Sequence, residues 1–421
     1  MNGVKITLSN LRFIFVEAIM QKKRFLILTN RVPYPLTDGG NLAMNAMIDG
    51  YHSAGKEVYL LAMNTTRHPV SSAQLADLYK HTNGFSTVDI DNNVHFIGTL
   101  KNFLFSRQPN HADRFYHTAF IKKLEEVINA FKPDVIQIES VFLSTYLPFI
   151  KKHSSAILVL RMHNIEYQVW QRLACGEKSL LKKYYLNNLA VRIKHFEEYA
   201  WQQYDLLLPI SYADSELIKF SATSTPYNVA TYGIDAENIH QPTRNEKWEA
   251  YHLGAMDWRP NAEAVDWFLQ NVWPLIHEAL PDFRFSFAGR YMPDYFKNLN
   301  IEGANCLGEV QDANTFIADK KILIVPLRSG GGIRVKILEA MAAGKIVIST
   351  DIGMQGVEAL PGTHYLAANE PEDFHKAIKW CLENKDKAEM IASNAVTLIK
   401  TDYEQRAIMK RVIEKIDSIK P

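Results

Sequence analysis

Short apolar runs alternate with longer stretches of helical period along most of the chain, and this alternation leaves few folds open. In the first half the runs fall at 25–29, 57–62, 94–97, 134–138, 156–162 and 206–210. In the second half they fall at 251–255, 284–288, 321–325, 345–349 and 364–367. Runs this continuous read as strands covered on both faces, and helix-length connections between them mean parallel pairing with crossovers. One connecting helix is predicted over 264–279, with Val265, Phe268, Val272, Leu275 and Ile276 on its apolar face. The tail from about 373 to 419 reads as helices.

The two series break near 233–247, where YGIDAENIHQPTRNEK is polar and aperiodic. The charge changes sign nearby. Residues 1–200 hold 24 Lys+Arg against 16 Asp+Glu, and residues 201–421 hold 23 against 30, so +8 and −7 sum to the net +1. The expected fold class is therefore α/β, with two doubly wound units joined by a linker. A basic half suits an anionic membrane surface, a nucleic acid, a phosphorylated substrate or plain solvent. The basic residues are scattered without stacking aromatics between them, which argues against nucleic acid.

Three distant cysteines, Cys175, Cys306 and Cys381, include no CxxC, so no structural metal and no disulfide framework are expected. No apolar run reaches the roughly 18 residues of a membrane span. The stretch 6–20 is broken by Arg12 and Glu17 and reads poorly as a signal peptide. Met20 before a basic cluster and a clean strand marks residues 1–19 as a non-essential extension, with an amphipathic membrane-touching segment as the other reading. A cytoplasmic protein, peripheral at the membrane's inner face, is the expectation.

In doubly wound sheets ligands bind beyond the carboxyl ends of the strands, so those loops carry the functional reading. After the first strand, PYPLTDGG leads into a helix, and Gly39 and Gly40 make either a tight turn or an anion-facing helix start. His163 follows the strand at 156–162, and Glu139 closes the strand before it. Each is placed either to meet a substrate or to hold structure. The strongest segment is PLRSGGGIRVKILEAMAAG at 326–344. A buried strand runs into Gly330, Gly331 and Gly332 and then a helix, with Arg334 and Lys336 at its start: a metal-independent phosphate cradle. Glu339, expected two turns into that helix, suits the hydroxyls of a ribose. Gly308, Glu309 and Val310 close a short strand whose exposed backbone groups are expected to suit a base edge. Gln355 and Gly356 are expected to border the sugar, and Arg259, in GAMDWRPN, is a second phosphate candidate.

These motifs together resemble family 4 glycosyltransferases. GAMDWRPNAEAVDWFLQNVWPLI, FSFAGR, LGEV and above all PLRSGGGIRVKILEAMAAGKIVIST look like the carboxyl-terminal half of that family. RVPYPLTDGG, RMHNIEYQVWQRLA and LPISYADSELI have counterparts in its first half, in matching order.

The resemblance implies the GT-B fold, two Rossmann-like domains facing across a cleft with a last helix crossing back. Expected bounds are 1–235 for the acceptor-side domain, 236–400 for the donor domain and 401–421 for that helix. It implies a retaining, metal-independent transfer of a sugar from a nucleotide-sugar donor to a saccharide or lipid-linked acceptor, with no cofactor. Glu339 would bind ribose, Arg334 and Lys336 would lie near the diphosphate, and His163 would contact the transferred sugar. Gly39 and Gly40 would lie near donor phosphate and acceptor.

Two positions depart from the family's pattern. Gly331 stands where many relatives carry a glutamate, and the loop after the first strand of the second half lacks a lysine following Arg259. The departures leave two rivals: a non-catalytic sugar-nucleotide-binding subunit of a glycan assembly complex, and a nucleotide-sugar epimerase or phosphorylase on a similar fold.

Overall fold

The computed structural model describes residues 22–36, 39–66, 69–92, 102, 108–221, 223–235, 246–330 and 333–419. The chain forms two compact units. The first comprises Met1–Pro209, Leu217–Asn228 and Val412–Pro421, and the second Ile210–Glu216 and Val229–Arg411. The exchanges between units thus fall at 209/210, 216/217 and 228/229, ahead of the polar stretch near 235, and at 411/412, so that the last helix, Gln405–Asp417, starts in the second unit and ends in the first. Within the first unit its end is tied down by Asp417, whose carboxylate lies 2.6 Å from Lys23 Nζ.

The first unit is built on six strands: β1 Arg24–Thr29, β2 Glu57–Thr65, β3 Gly84–Ile90, β4 Val135–Ile138, β5 Ile157–Met162 and β6 Leu206–Pro209. Their order is β3-β2-β1-β4-β5-β6 and every pairing is parallel. Phe25, Leu26, Ile27 and Leu28 of β1 are fully buried, as a strand covered on both faces must be. The strand expected at 94–97 lies outside the described residues. The third strand is instead GFSTVDI, whose half-exposed polar and apolar residues are those of a sheet edge and lack the continuous apolar run of the centre.

The second unit repeats the plan with β7 Lys247–Leu253, β8 Phe285–Ala288, β9 Ala304–Cys306, β10 Lys320–Val325, β11 Ile346–Ser349 and β12 Leu366–Ala367, in the order β12-β11-β10-β7-β8-β9. Its first connecting helix starts at Arg259, earlier than expected, with Pro260 in the first turn. It passes through a π turn, Phe268–Val272, just before Pro274, which has no N–H to give the preceding turn. The extra residue rotates the remainder of the helix by about 100°. Leu275 is therefore 37% exposed, while Trp273 and Ile276 face the core.

Both units reverse strand order beside their first strand, between β1 and β4 and between β7 and β10. There the loops after adjacent strands diverge and open a crevice, so each unit has one topologically determined place for a ligand. Among the described residues, no helix is long and apolar enough to cross a membrane.

Candidate active site

At the first crevice a cavity of about 380 Å³ is lined by residues following β1 (Asn30, Arg31), β4 (Glu139, Ser140) and β5 (His163, Asn164), with Gly40 and Glu166. The wall after β1 is fixed by asparagines of the Gly39–Ser53 helix: Asn41 Nδ2 donates to Pro35 O (2.8 Å), and Asn45 Nδ2 to Pro33 O (2.5 Å). Gly40 lies on the cavity and Gly39 on open surface.

His163 Nε2 lies 2.7 Å from Glu139 Oε2. The carboxylate can only accept, so Nε2 carries a proton in this hydrogen bond. Glu139 is buried, with Arg161 Nη1 at 3.8 Å and Gln137 Nε2 donating to its other oxygen. Tyr51 in turn donates to Gln137 Oε1 (2.6 Å), and Arg161 to Ala43 O (2.6 Å). Burial pushes the Glu139 pKa up, but Arg161 and the hydrogen bonds from His163 and Gln137 outweigh it, and the net shift is downward. The histidine is held by a carboxylate that stays charged. Behind it, Glu197 accepts the N–H groups of Glu166 and Tyr167 (3.0 and 2.8 Å) and so caps the helix Glu166–Gly176. The Glu166 carboxyl is raised to about 7 by burial.

At the second crevice the helix Val335–Ala342 follows β10, with Arg334 at its N-cap. Glu339 therefore lies one turn into the helix, not two. Lys336 Nζ donates to Asn261 Oδ1 (2.9 Å) and lies 3.2 Å from His252 Nε2. His252 Nδ1 lies 2.9 Å from Ile324 O, which can only accept, so Nδ1 carries the ring proton and Nε2 receives the lysine. Asn261 Nδ2 donates to Ala255 O (2.9 Å). Two of the three ammonium donors are thus engaged by neutral groups. Burial, then the charge of Arg334, brings the Lys336 pKa down to about 7. Burial lowers Arg334 to about 10, and its guanidinium lies 5.1 Å from the Trp258 ring centre.

Two glycines permit this convergence. A Cβ on Gly254 would come within 2.6 Å of Asn261 Nδ2 and 3.1 Å of Lys336 Nζ. Gly330, at φ +109°, has backbone that other residues rarely adopt, and a Cβ there would press on Trp258 at 2.9 Å. Lys336 thus brings its charge to the loop after β7.

The remaining predicted residues are more dispersed. Glu339 is exposed, though surrounding protein raises its carboxyl pKa, and its charge acts on Tyr232 and Tyr251. Arg259 is 87% exposed at the side chain and pairs with Glu263 (2.6 Å) on its own helix. Gly308, Glu309 and Val310 follow β9, and Gly308 O accepts from Gly289 N (2.8 Å). Gln355 is exposed after the short helix Asp351–Met354, and Gly356 adopts φ +86°. Gly331 and Gly332 lie outside the described residues. Among the described residues no group of three or more His, Cys, Asp or Glu is placed to hold a metal ion.

Sequence reasoning missed Arg161, Glu197, His252 and Asn261. Arg161 left a trace, a lone cation inside the apolar run ILVLRM; the other three had none.

Residues 249–384 match the family model for glycosyl transferases group 1. A protein of Klebsiella pneumoniae described as an uncharacterized 44.6 kDa protein in the cps region is 21% identical over 411 residues, 93% of this chain and 99% of that one. Among solved structures, Anabaena HepE in complex with UDP aligns with a TM-score of 0.64 at 15% identity, covering 94% of this chain and 100% of that one. Sucrose-phosphate synthase from Thermosynechococcus elongatus aligns at 0.63 and 13% identity, covering 94% and 98%. The two-unit α/β architecture is the GT-B fold of these glycosyltransferases.

Proposed function

We propose that this chain, a group 1 glycosyltransferase by its match over 249–384, transfers a sugar from a nucleoside-diphosphate sugar to a hydroxyl of a saccharide or lipid-linked acceptor, with retention and without a metal. The observation that carries this reading is the half-buried ammonium of Lys336 set beside Arg334 at the start of a helix, its hydrogen-bond partners neutral and its pKa near 7. Such a group gains most when an anion arrives. Breaking the bond from sugar to diphosphate builds charge on the leaving oxygen, and Lys336, Arg334 and the first amides of the 335–342 helix stabilise it. Glu339 takes the ribose hydroxyls, with Gly308–Val310, Gln355 and Gly356 around the nucleoside. His163, oriented by Glu139, contacts the transferred sugar, and Gly39 and Gly40 border donor phosphate and acceptor. We assign no protein nucleophile; the leaving phosphate accepts the acceptor's proton.

A uridine nucleotide is the first donor class to test, because the HepE structures contain UDP and UDP-glucose. The relative from a cps region supports surface-polysaccharide assembly as the setting, at the inner face of a membrane. A second reading, a sugar-nucleotide-binding subunit without transfer activity, is favoured by Gly331 in place of a glutamate.

The test is a thermal-shift panel of UDP, GDP, ADP and CMP, with and without sugars, on the wild type and Glu339→Ala. Ligand at 100 times its Kd adds about 2.7 kcal/mol to the folded state. One nucleotide should raise Tm in the wild type and fail in the variant. No shift with any nucleotide refutes the donor site. A shift without transfer to any acceptor favours the subunit.

A further inference from the structure

The helix Leu180–Trp201 has an unusual outer face. Its buried residues, Leu189, Ala190, Ile193, Glu197, Ala200 and Trp201, begin only at its third turn. The opposite face of a surface helix is ordinarily polar. Here it carries Leu180 (83% exposed), Leu181 (85%), Tyr184 (67%), Val191 and Tyr199, which fall within about 100° of arc at 100° per residue. The helix Glu166–Gly176 packs against it, contributes exposed Leu173 and buries only Ala174. The two helices form a hairpin whose tip, around 177–184, stands clear of the core.

The charge at this tip is mainly positive, Lys178, Lys182 and Lys183 against Glu177, whose carboxylate accepts the Ser179 N–H (2.8 Å). From 178 to 196 there are five Lys or Arg and no Asp or Glu. Arg192 and Lys194 are engaged within the unit, by Asn102 and Glu198. Lys178, Lys182 and Lys183 are exposed beside the leucines. We infer that this hairpin docks on an anionic lipid bilayer: Leu180, Leu181 and Tyr184 enter the interface, and the three lysines meet headgroup phosphates. Exposed leucines flanked by lysines, with a tyrosine between them, match the apolar boundary and charged surface of such a bilayer. A second copy of the chain fits less well, since pairing these faces brings like charges together.

Glu166, the first residue of the hairpin, also lines the His163 cavity, and the 166–176 helix separates it from the tip by roughly 16 Å at 1.5 Å per residue. A lipid-carried acceptor held at the surface would then be presented near that cavity. This link rests on the glycosyltransferase reading; the docking itself does not.

The test is co-sedimentation of the full chain with vesicles of phosphatidylcholine alone or with roughly a third phosphatidylglycerol, at low and high salt. The wild type should pellet with anionic vesicles at low salt and be released at high salt. The triple variants Leu180→Ser/Leu181→Ser/Tyr184→Ser and Lys178→Ser/Lys182→Ser/Lys183→Ser should each bind at least about tenfold more weakly, with unchanged Tm and an unchanged UDP-induced thermal shift. Wild-type protein left in the supernatant, or either variant pelleting like the wild type, overturns the inference. So does a wild-type dimer that the leucine variant splits while neither binds vesicles. Intact pelleting of a wild type that no nucleotide stabilises would refute the donor site and leave the docking surface standing.

Discussion

The two units share one strand order and one switch point, yet they treat buried charge in opposite ways. In the first, Glu139 is enclosed by Arg161, His163 and Gln137, and its pKa is lowered. The charge is answered inside the protein. In the second, Lys336 is enclosed by His252 and Asn261, which are neutral, and its pKa falls to about 7. The first arrangement gives a rigid, pre-oriented histidine. The second stores an unfavourable desolvation that a bound anion relieves, which suits the diphosphate of the proposed reaction.

The contrast breaks most directly at Glu139. Glu139→Ala leaves Arg161 buried without its carboxylate and should lower stability by about 3–5 kcal/mol in urea denaturation. A loss below about 1 kcal/mol would mean that the pair does not bear on the fold. Next in size, Arg334→Ala or Lys336→Ala should cut turnover about a hundredfold, close to 3 kcal/mol of transition-state stabilisation. Near-wild-type turnover in both would remove them from the leaving-group site.

Lys336 should also oppose folding in the empty protein. Lys336→Met is expected to raise stability by about 1 kcal/mol or more while weakening nucleotide binding. The sign with pH comes from the lowered pKa. Between about 7 and 10.5 the unfolded chain binds the lysine proton and the folded chain does not, so stability from this group rises with pH across that window. The advantage of Lys336→Met in Tm should therefore be greatest below pH 7 and narrow towards pH 10. An advantage that widened with pH would reverse the assignment.

Nucleotide affinity should show the matching effect. With a pKa of about 7 in the empty site, diphosphate binding takes up a proton, and affinity should fall about tenfold from pH 6 to pH 8. Calorimetry in buffers of different ionisation enthalpy reads that proton directly, and Lys336→Met should abolish the uptake. The smallest expected effect is that of Arg259→Ala. Its exposed pair with Glu263 is worth less than about 0.5 kcal/mol, so nucleotide affinity and Tm should barely move. A tenfold loss of affinity would bring Arg259 into the donor site after all.

Much of this was legible in the sequence wherever the signal was local. β1, β2, β4, β5 and β6 of the first sheet were readable because strands buried on both faces are continuous apolar runs. β3, an edge strand with a mixed pattern, was not. The helix start carrying Arg334, Lys336 and Glu339 announced itself by three glycines between a strand and a helix. The π turn at 268–272 hid from a periodic reading, which placed Leu275 in the core.

The sequence by itself determined the alternation of strand and helix, the two series and the loops at which chemistry belongs, because each depends on neighbours within a few residues. Only the tertiary structure decided which strands lie side by side, and so which loops meet at a crevice. His252 and Lys336 are 84 residues apart, and Glu139 and His163 are 24 apart. Neither pair has a local signature. Their charges, tautomers and shifted pKa values arise from desolvation and contact, which exist only once the sheets have formed.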